Sequence, residues 1–198
     1  MAKAKTRFHF FALLSRMKYI TRWGLMRNTQ PENIQEHSLQ VAMVAHALAL
    51  IKNRFYGGNI NADRVAVLAM FHDCNEIITG DLPTPIKYFN PEISKAYKAV
   101  ERVSKDKLVS MLPDELKSDY SSILFHEERG GDCWRLVKAA DRISAYIKCI
   151  EEVKAGNGEF KKASVSVLKS ITEIDMPEVK YFMENFLPSF SLTLDELE

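Results

Sequence analysis

His37, His72, Asp73, Glu76 and Asp141 are of the right types to hold a divalent metal ion and to handle a proton beside it. Within the stretch 61–79, Val65, Leu68, Ala69, His72, Asp73 and Glu76 recur at helical offsets, which predicts one stripe on one helix. That stripe starts aliphatic and ends in an imidazole and two carboxylates, a costly change on a core-facing surface unless a partner or a metal neutralises them. In 33–54, His37, Val41, Val44 and Leu48 share a stripe with His37 at its polar end, while His46 points to the opposite side. In 132–155, Val137, Asp141 and Ser144 run beside the apolar row Leu136, Ala140, Ile143 and Ile147, which makes Asp141 an inward carboxylate. Taken singly, each is a common core feature, since a lone histidine on an apolar face is more often a hydrogen-bonded core residue. Together, two imidazoles and two carboxylates on three helices suit Mn2+, Co2+ or Zn2+, with positions left open for water and substrate.

The elements that must position these groups are helical. Every glycine and proline falls between periodic segments, and the pattern predicts helices near 9–20, 33–54, 61–79, 91–111, 113–127, 132–155, 159–174 and 177–187. No alternating segment of strand length, internal repeat or low-complexity linker interrupts them. The expectation is an all-α chain of about eight helices, one domain over 1–198 with the metal core in roughly 30–145. One longer irregular loop is expected at Gly80–Asn90. Its prolines at 83 and 85 stiffen it and Asp81, Thr84 and Lys87 give it polar groups to present, whether to a site or only as a turn.

Charge is distributed unevenly. The net charge is +1, which gives no reason to expect a nucleic-acid polymer or an anionic membrane as partner. Before the first acidic residue, Glu32, stand Lys3, Lys5, Arg7, Arg16, Lys18, Arg22 and Arg27. Such a start reads as a first helix lending positive charge to an anion site, the alternative being a transit peptide. The longest apolar stretch, Leu39–Ile51, is interrupted by Gln40 and His46 and is too short to span a membrane. Cys74, Cys133 and Cys149 have no metal-knuckle spacing and are expected as reduced, mostly buried thiols in a cytoplasmic protein.

The order His37 … His72-Asp73 … Asp141 resembles the signature of the HD-domain metal-dependent phosphohydrolases. The wider segments Glu36-His37-Ser38-Leu39-Gln40-Val41-Ala42, Phe71-His72-Asp73 with Glu76, Thr79-Gly80-Asp81-Leu82-Pro83-Thr84-Pro85 and Lys138-Ala139-Ala140-Asp141 resemble the bacterial 5′-deoxynucleotidases of that superfamily. The resemblance runs from Phe10 to the end of the chain. It implies that His37, His72, Asp73 and Asp141 ligate one divalent metal, Co2+ or Mn2+ ahead of Zn2+, and that Glu76 is the acid–base residue. It further implies a deoxyribonucleoside 5′-monophosphate as substrate, with Arg22 at the phosphate, Trp23 at the sugar, and His37, Asp73 and the run Asp81, Leu82, Pro83 and Thr84 completing the contacts. A homodimer is implied as well.

Duller and rival readings stand beside these. Trp23 could simply anchor the first helix, Arg22 could be a surface charge, and Cys74 and His126 are read as structural. A phosphodiesterase or triphosphate hydrolase would call for more basic residues or a second set of histidines than five in the chain provide. A non-catalytic nucleotide-binding protein would be expected to lose a ligand or the acid–base group, and all five are present.

Overall fold

The computed structural model describes residues 7–197, the side chains of 128 and 129 excepted. Lys3 and Lys5 of the basic start lie outside the described residues. The order is α1 (Phe10–Leu14), a 3-10 turn Ser15–Tyr19, α2 (Ile34–Phe55), α3 (Ala62–Met70), α4 (Glu76–Thr79), α5 (Thr84–Lys87) and α6 (Pro91–Ser110). There follow α7 (Asp114–Leu124), α8 (His126–Arg129), α9 (Asp132–Lys154), a 3-10 turn Gly158–Phe160, α10 (Lys161–Thr172) and α11 (Pro177–Asn185), then two more 3-10 turns. Among the described residues there is no strand, only an isolated bridge between Thr21 and Asn33, and the fold is all-α as expected.

Local chemistry sets the helix starts. Asn33, Asn61 and Asn90 each accept backbone N–H groups of the first turn of α2, α3 and α6, and Glu36 returns a carboxylate to the Asn33 N–H to complete a capping box. Three helices form the centre, with α3 and α9 packed on α2, α10 on α9 and α11 on α2. Val41, Ala45 and Leu48 of α2 meet Val65 and Leu68 of α3 and Leu136, Ala140, Ile143 and Ile147 of α9 in one apolar core. A second core gathers Phe10, Met17, Ile34, Cys74, Leu108, Leu112 and Leu124. On α2, His37 lies between Ile34 of the second core and Val41 of the first. Likewise His72 and Asp73 lie between Ala69 of the first and Cys74 of the second. The polar residues thus occupy the seam between two apolar clusters.

The expected continuous helix 61–79 is broken. Helix α3 stops at Met70, tight turns carry Phe71 to Asn75, and α4 restarts at Glu76. The Ala69 carbonyl, which an uninterrupted helix would offer to the Asp73 N–H, instead receives the His72 N–H (3.3 Å) and lies 2.7 Å from His72 Nδ1. The side chain therefore competes with the ladder, and His72, Asp73 and Glu76 are presented by a turn rather than by a helical stripe. The loop 80–90 also departs from expectation, because α5 occupies its middle, and the first helix tightens to 3-10 after Leu14.

The segment between Tyr19 and α2 is irregular yet fastened at several points. Arg22 N–H donates to the Glu32 carbonyl (2.8 Å) and Ile34 N–H to the Ile20 carbonyl (3.0 Å). Farther along, the buried Glu152 carboxylate of α9 accepts the Thr29 N–H (2.9 Å), the Thr29 hydroxyl (2.6 Å), the Gln30 N–H (3.1 Å), Asn157 Nδ2 (2.8 Å) and the Lys148 ammonium. Lys148 also donates to the Gln30 carbonyl. Burial alone would raise the Glu152 pKa, but the hydrogen bonds from Lys148 and Thr29 overcome it and hold the carboxyl well below its ordinary 4.5. Its contribution is therefore complete above that value and fades as pH falls through the lower folded-state value. Glu152→Gln, which strips a buried ammonium of its counter-charge, is expected to cost about 3–5 kcal/mol of unfolding free energy near neutral pH. In urea titrations that deficit should narrow as the pH falls below about 4; an equally stable variant would show that the network does not hold the segment.

Candidate metal centre

His37 comes from the first turn of α2, His72 and Asp73 from the turn between α3 and α4, and Asp141 from the middle of α9. Single ligand atoms of His37, His72 and Asp141 all lie within 4.8 Å of one another. His37 Nε2 is 3.1 Å from Asp141 Oδ1 and 3.9 Å from Asp73 Oδ2. His72 Nε2 is 3.0 Å from Asp73 Oδ2 and 3.9 Å from Asp141 Oδ1. Both imidazoles are fully buried, their centroids 5.5 Å apart.

The proton positions show what this cluster needs. The Ala69 carbonyl can only accept, so His72 Nδ1 carries the hydrogen and Nε2 of the neutral ring is left with a lone pair. That lone pair faces a carboxylate oxygen at 3.0 Å, and His72 Nε2 makes no hydrogen bond. Two acceptors held at this distance repel unless a cation lies between them. A proton would relieve one pair, whereas a divalent metal would serve His37 and Asp141 in the same space. The four residues therefore fit a metal ion of the kind that takes imidazole and carboxylate ligands.

Positive charge stands beside the acidic cluster. Arg22 Nε donates to Glu32 Oε2 (3.0 Å), and Nη1 lies 3.5 Å from Asp73 Oδ2. Burial works against the Arg22 charge, yet Asp73, Asp141, Glu32 and Asp81 together hold the guanidinium firmly protonated. Lys138, one turn before Asp141, places Nζ 3.7 Å from Asp141 Oδ2 and over the Trp134 ring. Glu76 is buried with Oε2 lacking a hydrogen-bond partner, and burial, followed by the charges of Asp73 and Asp81, pushes its pKa up to about 10.

Trp23 is the one non-glycine residue with positive φ among those described, at 58°. Left-handed backbone costs a bulky residue about 1–2 kcal/mol. The Met26 N–H caps its carbonyl at 2.8 Å, its own N–H donates to the Asp81 carboxylate, and its indole packs on Phe160 with ring centroids 5.3 Å apart. The structure thus brings Arg22, His37, His72, Asp73, Glu76 and Asp141 together, with Trp23 and Asp81 joined to each other at the edge. Leu82 and Pro83, half-buried, and Thr84, exposed at the start of α5, follow Asp81 by chain continuity alone. His46 lies apart, 3.6 Å from Asp63, and Cys74 sits fully buried in the second core with its thiol pushed up to about 12 by burial.

Two residues of the site had no role in the sequence reading. Glu32 was noted only as the first acid, and Lys138 only as part of a motif. Glu32 has no helical offset that marks it, since it precedes the α2 cap and acts across the loop, whereas Lys138 stands three residues before Asp141 on α9. If the cluster binds metal, His72→Ala should weaken Mn2+ binding to metal-stripped protein by more than about a hundredfold, beyond what loss of an outer-shell partner does. Calorimetry checks this, and wild-type affinity in the variant would remove His72 from the ligand set.

The chain is similar over nearly its whole length to several known proteins. The family model described as 5′-deoxynucleotidase YfbR-like matches residues 9–190. A 5′-deoxynucleotidase of Yersinia pestis (strain Pestoides F) is 56% identical over 189 residues, covering 96% of each chain. One from Yersinia pseudotuberculosis serotype O:3 (strain YPIII) matches at the same 56% identity and 96% coverage. Among solved structures, an HD-domain phosphohydrolase from Listeria innocua superposes with a TM-score of 0.81 at 24% identity, over 92% of this chain and 88% of that one. The cyanophage S-2L HD phosphohydrolase, solved with dA and one catalytic Zn2+ ion, superposes with a TM-score of 0.66 at 19% identity, over 92% and 96%. These two likenesses speak to the fold. The family match and the identity over nearly the whole length carry more: the chain belongs to the YfbR-like 5′-deoxynucleotidase family.

Proposed function

We propose that this chain is a metal-dependent 5′-deoxynucleotidase that hydrolyses deoxyribonucleoside 5′-monophosphates to the deoxyribonucleoside and phosphate. The observation that carries the reading is the juxtaposition of His37, His72, Asp73 and Asp141, the imidazoles buried and the carboxylates partly exposed, with a mostly buried arginine, Arg22 Nη1 lying 3.5 Å from Asp73. A dianionic phosphate is repelled by Asp73 and Asp141 unless positive charge outweighs them. Arg22 supplies a planar donor fork of the shape that phosphate oxygens accept. A divalent ion held by the two histidines and two aspartates would supply Lewis-acid activation of water and charge neutralisation at the phosphoryl group.

The remaining work falls to the chain. In-line displacement at phosphorus depends mainly on positioning, which the fastened Arg22 segment provides. Glu76, with Oε2 free of other partners, takes the proton of the attacking water or gives one to the departing 5′ oxygen. Trp23 at the sugar would exclude a 2′-hydroxyl by bulk, with Asp81, Leu82, Pro83 and Thr84 on the same side and His37 and Asp73 also reaching the substrate. Two features support a fixed Trp23: its strained backbone and its packing on Phe160.

The reading extends to Co2+ or Mn2+ as the preferred ion with Zn2+ as the alternative, to one domain over 1–198, to a cytoplasmic location, and to a homodimer. Exposed Phe11, Leu39, Met43 and Met70 are apolar surface that a second copy could cover. Neither a nucleic-acid polymer nor a membrane enters it; no helix of the described residues is long and apolar enough to cross a membrane.

Phosphate release from dAMP and AMP, with metal-stripped protein and added Co2+ or Mn2+, tests the proposal. Wild type should act on dAMP alone and only with metal. Glu76→Gln should lose about 10²–10⁴-fold in kcat, and Trp23→Ala should gain hydrolysis of AMP. No release from dAMP with any metal would leave a nucleotide-binding protein, and continued rejection of AMP by Trp23→Ala would refute the steric account of sugar choice.

A further inference from the structure

We propose that Glu32 is a positioning residue that orients the metal side and the phosphate side of the site together. Its carboxylate lies between the two. Oε2 accepts Arg22 Nε at 3.0 Å, while Oε1 faces His37 Nδ1 at 3.7 Å, and the side chain is only 11% exposed. Its main chain grips Arg22 as well, since the Glu32 carbonyl accepts the Arg22 N–H at 2.8 Å.

The consequences follow from donor counting. With Nε committed to Glu32 and Nη1 turned toward Asp73, the fork of Arg22 has a fixed edge, and the N–H groups left over are those that can meet phosphate. On the other side, His37 can offer a lone pair at Nε2, the nitrogen that faces Asp141 and Asp73, only if Nδ1 carries the hydrogen. His37 Nδ1 is buried with no hydrogen-bond partner, and the Glu32 carboxylate is the anionic group that faces it. At 3.7 Å the contact is electrostatic rather than a hydrogen bond. It still favours a positive N–H edge there and so sets the tautomer from outside the ligand set, as carboxylates commonly do for metal-bound imidazoles. The second histidine needs no such help, because the Ala69 carbonyl fixes His72 from its own turn. Glu32 is thus the link through which a well-placed metal ligand and a well-placed phosphate donor depend on one side chain.

This inference rests on the metal reading of the cluster but can be tested apart from catalysis. Glu32→Gln keeps the shape and the backbone bonds and removes the charge. In metal-stripped full-length protein, the His37 ring 15N signals should shift, because Nδ1 loses the anion that faces it. The Mn2+ dissociation constant should rise by about tenfold or more. At saturating Mn2+, KM for dAMP should rise several-fold with a smaller change in kcat, the mark of lost substrate orientation. Glu36→Gln, which weakens the cap of the same helix without touching Arg22 or His37, is the control for a merely structural effect. It should lower stability and leave the 15N pattern and metal affinity unchanged. A Glu32→Gln protein with wild-type 15N signals and metal affinity would overturn the proposal, as would equal effects from Glu36→Gln. If the wild type released no phosphate from dAMP, the functional reading would fail while the 15N and affinity comparison still decided the role of Glu32.

Discussion

Two carboxylates and two imidazoles converge in the seam of an apolar helical bundle, and the crowding of the two carboxylates, Asp73 and Asp141, is the constraint on which the site depends. Asp73 Oδ2 stands 3.0 Å from His72 Nε2, and Asp141 approaches the same space from another helix. The two carboxylates are only partly open to water, with 17% and 26% of their side chains exposed, and the protein sets cations beside them. Arg22 and Lys138 come from outside the cluster, and a metal ion fits within it. An uncharged core at this position would be simpler to fold, which is why the cluster reads as functional.

Much of the irregular structure serves that convergence. A continuous helix after Met70 would offer the Ala69 carbonyl to its own ladder. Breaking the helix there frees that carbonyl for His72 and turns His72 and Asp73 inward together. The segment carrying Arg22 and Trp23 has no regular structure to hold it, and it includes a left-handed tryptophan. It is fastened instead by Glu32 at one end and by the buried Glu152–Lys148 pair at the other. Such anchors offset the local strain and hold a guanidinium where chain flexibility would otherwise scatter it.

The chemistry was more legible in the sequence than the geometry that delivers it. His37 and Asp141 could be placed because each ends or borders an apolar row on a long helix, and both rows are in the core. The glycine and proline joints marked the long helices to within a few residues. The break at 71–75 was hidden because His72, Asp73 and Glu76 happen to obey helical offsets; the deciding contact is between a side chain and a backbone carbonyl, which periodicity does not register. Glu32 escaped for a related reason, since its partners lie five residues ahead and ten behind across a loop. The Thr29–Glu152 anchor joins residues 123 apart and leaves no local pattern at all. The assignments of Trp23 and of Asp81 to Thr84 to the sugar came from family resemblance alone, because contacts to a ligand impose no periodicity on a chain.

The central claim is that the seam between the two cores is a metal centre. The most direct measurement is anomalous diffraction from crystals of the protein loaded with Mn2+ or Co2+. The account predicts one strong peak within about 2.0–2.3 Å of His37 Nε2, His72 Nε2 and a carboxylate oxygen each from Asp73 and Asp141. A peak elsewhere, or none at this site in a protein that binds the metal in solution, would contradict it.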